Sequence, residues 1–118
     1  MKPVLHAKAQ RTFTAWGEGA EISLLRSHET GGVTTITRFF AGSSGKWHSH
    51  PGGEELYVIS GHLRVGDIEL SAGDYLFTPP GAAHDVFAHE EAVLLLVLPQ
   101  MPDYSADPSG LQRPSDSA

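Results

Sequence analysis

The chain predicts an all-β domain, a sandwich or a barrel, on three observations. Apolar and β-branched residues gather into about nine or ten short runs, with turn signals roughly every 8–12 residues. Thirteen glycines and eight prolines within 118 residues supply many tight turns. No stretch carries an apolar period of 3.6 residues flanked by helix caps.

In chain order, residues 1–10 show no periodicity and read as an arm. Arg11 to Trp16 is a short strand ending at Gly17, and Glu21 to Arg26 is a second, followed by a polar turn through Ser27 to Gly32. Val33 to Phe40 is rich in Thr, Ile, Val and Phe, which suit a pleated surface, and Ala41 to Gly45 ends it. A histidine segment follows, then Glu54 to Ser60 with Gly61 as its stop. His62–Val65 and Asp67–Leu70 flank Gly66 as a hairpin. Ser71 to Asp74 is a turn, Tyr75 to Thr78 a strand, and Pro79-Pro80-Gly81 a turn whose prolines cannot donate to a ladder. His84 to Ala88 and Ala92 to Leu98 are the last strands. From Pro99 the composition shifts to Pro, Ser and Asp. The expected organisation is therefore one domain, 1–98, with an N-terminal arm, and an extended or disordered tail over 99–118.

A chain of this length buries about two-thirds of its surface on folding. Its 40% hydrophobic content is that of a globular protein. The formal charge of -6 argues against nucleic acid or an anionic membrane as partner, since both need basic surface. No run reaches the roughly 20 apolar residues of a membrane helix, and the N-terminus lacks the apolar core of a signal peptide. Cysteine is absent, which removes disulfides, thiolate ligands and a cysteine nucleophile. The cytoplasm is the expected location.

The chemistry concentrates between Trp47 and Val58. His48 and His50 stand at i and i+2, so in an extended strand their imidazoles share a face. Pro51-Gly52-Gly53 then reverses the chain, and a carboxylate, Glu54 or Glu55, returns beside them. Nitrogen and oxygen donors converging in this way suit a divalent cation.

These residues also carry a family resemblance. Gly42, His48, His50, Glu54 and Gly61, with Gly73, Pro79, Gly81 and His84, fill nine of the ten marked positions of the two cupin motifs; the tenth, an Asn, is Ala88 here. Residue frequencies put a chance placement on the order of one in a billion. Resemblance to the cupins implies a double-stranded β-helix, a jelly-roll barrel, with its motifs inside residues 42–88. It also selects Glu54 over Glu55, through the six-residue interval to Gly61, and so puts Leu56 and Val58 on the ligand face and Glu55, Tyr57 and Ile59 on the other. The ligand set it implies is His48, His50, Glu54 and His84, holding one divalent metal per chain, zinc first, with iron, manganese or nickel as alternatives.

The wording His-Ser-His-Pro-Gly-Gly-Glu-Glu-Leu-Tyr-Val and Pro-Pro-Gly-Ala-Ala-His, with Ser23 to Arg26 and Thr30-Gly31-Gly32, resembles the cupin domain of ChrR-type anti-sigma factors. Sigma-factor binding in that group uses a separate helical, cysteine-containing domain and is not carried over to a cysteine-free chain. The same group includes small diketone- and ring-cleaving dioxygenases. Two function classes follow: a metal-binding, sensor-like module for an unidentified small molecule, or a metal-dependent dioxygenase or isomerase. No residue is assigned a catalytic role.

His6, His28, His62 and His89 have no matching spacing and are expected to be exposed or structural. Arg38 and Arg64 lie in strands, where solvent-facing charge is the ordinary reading, and Trp47 should face away from His48. Ala92 to Leu98 is apolar on both faces, so one face must pack outside the sandwich. Together with outward Tyr57 and Ile59 it predicts a two-fold homodimer; cover by residues 11–16 or by the tail is the alternative.

Overall fold

A computed structural model describes residues 1–106; the part of the expected tail from 107 onward lies outside the described residues. Ten strands run as β1 Thr14–Trp16, β2 Ala20–Ser27, β3 Val33–Phe39, β4 Ser44–Ser49, β5 Glu54–Ser60, β6 His62–Val65, β7 Ile68–Ser71, β8 Tyr75–Thr78, β9 Ala83–Ala88 and β10 Ala92–Leu98. Every run read as a strand from the sequence is one, with ends moved by a few residues. The histidine segment itself forms most of β4. No helix among the described residues is long and apolar enough to cross a membrane.

The strands form two antiparallel sheets, ordered β1-β2-β3-β10-β5-β8 and β4-β9-β6-β7. They pack as a jelly-roll sandwich and are not hydrogen-bonded into a closed barrel. Leu56, Val58 and Leu94 from the larger sheet meet Leu63, Val65, Leu70 and Val86 from the smaller one in a single core. Each such side chain contributes about 1.5–3 kcal/mol by leaving water.

Alternation sorts β5 as expected: Glu54, Leu56 and Val58 are buried, whereas Glu55, Tyr57 and Ile59 are exposed. The outer face of the larger sheet is uneven. One cross-strand row runs Ser23, Ile36, Leu95, Tyr57, Tyr75. Ser23 and Ile36 at one end are buried, whereas Tyr57 and Tyr75 at the other are exposed, as are nearby Ile59 and Phe77. At the buried end the N-terminal segment lies close, with Arg38 over the Phe13 ring.

One irregularity positions the site. Along β4 and β9, Gly45 pairs with Val86 and His48 with His84, so β4 spends three steps where β9 spends two. This one-residue slip has the form of a β-bulge. It lets Gly45, against Val86 and the Phe39 ring, and His48 both face inward although they stand three positions apart, an odd offset.

Candidate metal centre

The centre lies where the chain crosses from the smaller sheet to the larger. His48 and His84 are direct cross-strand partners on β4 and β9. His50 lies just past β4, and Glu54 opens β5 opposite Thr78. Backbone bonds lock the crossing: His50 N–H donates to the Ala82 carbonyl at 3.0 Å, while the Gly81 and Gly53 N–H groups donate to the His50 carbonyl at 2.8 and 3.0 Å. The turn carrying His50 is thus fastened to the turn preceding His84. Gly53 has φ 78°, and a Cβ there would stand 2.9 Å from the Thr78 carbonyl oxygen, so a side chain is barred on both counts.

All four side chains are buried. The imidazole centroids are 4.7 Å (His48–His50), 4.9 Å (His48–His84) and 4.8 Å (His50–His84) apart. His50 Nε2 and His84 Nε2 are 3.0 Å apart, and Glu54 Oε1 lies 3.5 and 3.6 Å from them. Donors around a tetrahedral ion with bonds near 2.0–2.1 Å stand about 3.3 Å apart, a spacing these three distances bracket. His48 Nδ1–H donates to the Lys46 carbonyl at 2.6 Å, leaving Nε2 with a free lone pair. Such a bond is the usual way to orient a ligating imidazole. His48, His50 and His84 thus form a buried group able to hold a metal ion.

Electrostatics agree with the geometry. Loss of water around the rings pushes His84 down to about 3 and His50 to about 4, each also repelled by neighbouring imidazole. Burial lowers His48 as well, against the opposing pull of the Lys46 carbonyl. Burial pushes Glu54 up to about 7. At neutral pH the imidazoles are therefore uncharged, and their contacts with Glu54 are not ion pairs. Glu54 Oε1 and His50 Nδ1 are buried without a hydrogen-bond partner among the described residues. An orphan of this kind costs about 1–3 kcal/mol. Neutral imidazoles and a carboxylate form a donor set that fits a borderline divalent cation, which would engage the Glu54 oxygen.

His48, His50 and Glu54 line a cavity of about 330 Å³ whose remaining wall is mainly apolar, including Leu24, Leu56, Leu94 and Leu96. Met101, Pro102 and Tyr104 complete it. Within the expected tail, then, residues 99–106 fold back over the cavity as a strap. Asp103 exchanges two backbone bonds with Ser49 (2.9 and 3.0 Å), the Thr30 hydroxyl donates to the Pro99 carbonyl, and the Tyr104 ring sits 5.1 Å from His48. An Asp103-Tyr104-Ser105 turn, with Ser105 N–H donating to Asp103 Oδ1 at 2.8 Å, is the one signal that marks the strap in the sequence.

Other sequence candidates lie elsewhere. Glu55 points outward and accepts from the Tyr75 hydroxyl at 2.7 Å. Arg38 pairs with Glu21 and, at 3.4 Å, with Glu91. Arg64 donates to the Gly66 carbonyl at 2.7 Å and lies 3.4 Å from Asp85; neither arginine lines the cavity. Trp47 does not line that cavity but a separate cleft, with Arg64, Asp85 and His84. His28 meets the Thr34 hydroxyl at 2.7 Å, a structural role.

Comparison with known proteins agrees with this architecture. A 79-residue stretch is 38% identical to the DNA damage-repair/toleration protein DRT102 of Arabidopsis thaliana, covering 62% of this chain and 24% of that protein, so the chain spans about a quarter of its relative. An acetylacetone dioxygenase from Acinetobacter johnsonii superposes with a TM-score of 0.68 at 25% identity, over 81% of this chain and 72% of that one. An RmlC-like cupin from Ralstonia eutropha gives 0.76 at 14% identity, over 83% and 69%, a likeness of fold alone. The family model of the ChrR cupin-like domain matches residues 1–102, and the chain belongs to that family.

Proposed function

We propose that this chain is a metal-binding cupin that holds one divalent ion, zinc first, through His48, His50, Glu54 and His84, and presents it to a small molecule in the strapped cavity. The observation that carries this reading is the convergence of neutral imidazole nitrogens on a buried, unpartnered Glu54 oxygen at the wall of that cavity. A bound ion supplies Lewis acidity or, if redox-active, oxygen chemistry. The protein's own part is to orient His48 through Lys46, keep the imidazoles unprotonated by burial, and select apolar ligand groups through Leu56, Leu94 and Leu96. Among the described residues Tyr104 alone, beyond the ligand set, brings a titratable group to a wall that is otherwise mainly apolar, which favours a binding, sensor-like module. A small metal-dependent dioxygenase cleaving a diketone is the second reading, supported by the likeness to the Acinetobacter johnsonii enzyme and by an apolar chamber beside the donors. A homodimer through the exposed Tyr57, Ile59, Tyr75 and Phe77 face belongs to the same proposal.

Elemental analysis of untagged protein should return close to one metal per chain. His50→Ala should weaken that binding by at least about 100-fold, the upper end of what losing even an outer-shell partner costs. Glu54→Ala should also weaken it, and Glu55→Ala should leave it unchanged. Equal losses from the two Glu substitutions would refute the ligand set. Oxygen uptake by iron-loaded protein with a diketone panel separates the second reading from the first.

A further inference from the structure

We propose that His62, Glu69 and His89 form a second, surface site for a divalent transition cation such as zinc, separate from the buried centre. His62 and Glu69 stand on one hairpin and His89 follows β9; they meet on the outer face of the smaller sheet, with Leu63 and Val65 of the first strand pointing the other way into the core. His62 opens β6, Glu69 lies on β7 diagonally across from it, and His89 stands in the turn between β9 and β10. His89 Nε2 is 2.7 and 3.0 Å from the two Glu69 oxygens, His62 Nε2 is 3.8 Å from Oε1, and the rings lie 4.6 Å apart. One nitrogen from each imidazole and one carboxylate oxygen all fall within 4.8 Å of each other.

The arrangement is held by backbone rather than by the side chains alone. His89 and Glu90 N–H groups both donate to the His62 carbonyl, at 3.0 and 3.1 Å. Gly61, at φ 91°, permits this approach, since a Cβ there would stand 2.1 Å from the Glu91 carbonyl oxygen. The Phe87 ring, 5.2 Å from His89, limits where that imidazole can swing. The two turns are therefore fastened together, and their imidazoles address a single carboxylate. Distances of 2.7 to 3.8 Å bracket the separation of about 3.3 Å expected around a tetrahedral zinc ion, with water free to fill the remaining positions. A chain of charge -6 favours cation capture at an open face.

The experiment is a zinc titration of the untagged, metal-stripped full chain, followed by calorimetry and by the imidazole resonances of His62 and His89. Two classes of site are expected, the weaker of which shifts those two sets of resonances. His89→Ala and Glu69→Gln should each weaken that class by at least about 100-fold and leave the tighter class within twofold. His50→Ala should do the reverse, so failure of the surface site and failure of the buried one give different results. A single class up to millimolar zinc, no response of the His62 and His89 resonances, or a weaker class untouched by both surface substitutions would overturn the proposal.

Discussion

His48, His50 and His84 meet Glu54 between the sheets, while His62 and His89 meet Glu69 on the outside of one of them. The donor types are the same and the distances similar, but the surroundings are opposite. Around the buried group, loss of water strips the imidazoles of protons and pushes one onto Glu54. Around the surface group, water solvates whatever charge the residues carry, and the His89–Glu69 contact is an ordinary exposed pair worth at most about 1 kcal/mol. Burial therefore converts a polar cluster that would be comfortable in water into one with unmet bonding capacity.

The largest expected test of that contrast is the pH dependence of zinc affinity at the buried centre. Below pH 7 the ion must displace the proton on Glu54, whereas His50 and His84 hold none until about pH 4 and 3. Glu54 alone should make affinity from competition titrations fall about tenfold per pH unit between 7 and 5, one proton's worth, and Glu54→Gln should flatten the slope by that one proton. A slope of two or three protons starting near 6.5 would mean the imidazoles keep their usual basicity, and the contrast would fail.

Much of the fold and most of the buried centre could be read from the sequence, for identifiable reasons. Val33 to Phe39 and Ala92 to Leu98 declare themselves by β-branched and apolar side chains, and His48, His50, Glu54 and His84 by spacing around glycines and prolines that only special turns require. The strap leaves only the Asp103-Tyr104-Ser105 turn as a signal, because Asp103 grips Ser49 through backbone groups that almost any residue offers. The surface cluster depends on β6–β7 register and on two turns touching, neither of which leaves a periodic signal in the residues between His62 and His89. The slip in β4 is equally silent.

A second, smaller effect concerns the metal-free protein. Folded His50 and His84 have lowered pKa values, so the stability they permit is complete above about 6.5 and is lost as pH falls toward 4. Folded Glu54 is raised, so its contribution is complete below about 4.5 and is lost as pH rises toward 7. Two imidazoles against one carboxylate leave a net of about one proton near pH 5, about 1.4 kcal/mol per pH unit, shrinking to nothing near pH 7. Chemical denaturation of stripped protein should accordingly show stability rising from about pH 5 and levelling off near pH 7. A steeper rise between about pH 5 and 7 in Glu54→Gln, from which the opposing carboxylate is gone, would sharpen the assignment.

The smallest effect is kinetic. Tyr104→Ala removes a ring contact worth about 0.5–1.5 kcal/mol from the strap over His48, so chelator should extract the buried ion about two- to tenfold faster. Extraction from the surface class should not change. Equal acceleration of both would show that Tyr104 acts through global stability and not by covering the cavity.

The slip in β4 makes strand length, and not only residue kind, part of the metal centre. The extra residue between Gly45 and His48 lets both face inward, and the carbonyl of Lys46 is the acceptor that fixes which nitrogen of His48 carries its proton. Excising Lys46 would restore an unbroken ladder, with His48 still opposite His84 but without its present acceptor. A gap at position 46 in a related chain would therefore amount to a change of histidine tautomer control, even where every ligating side chain is kept.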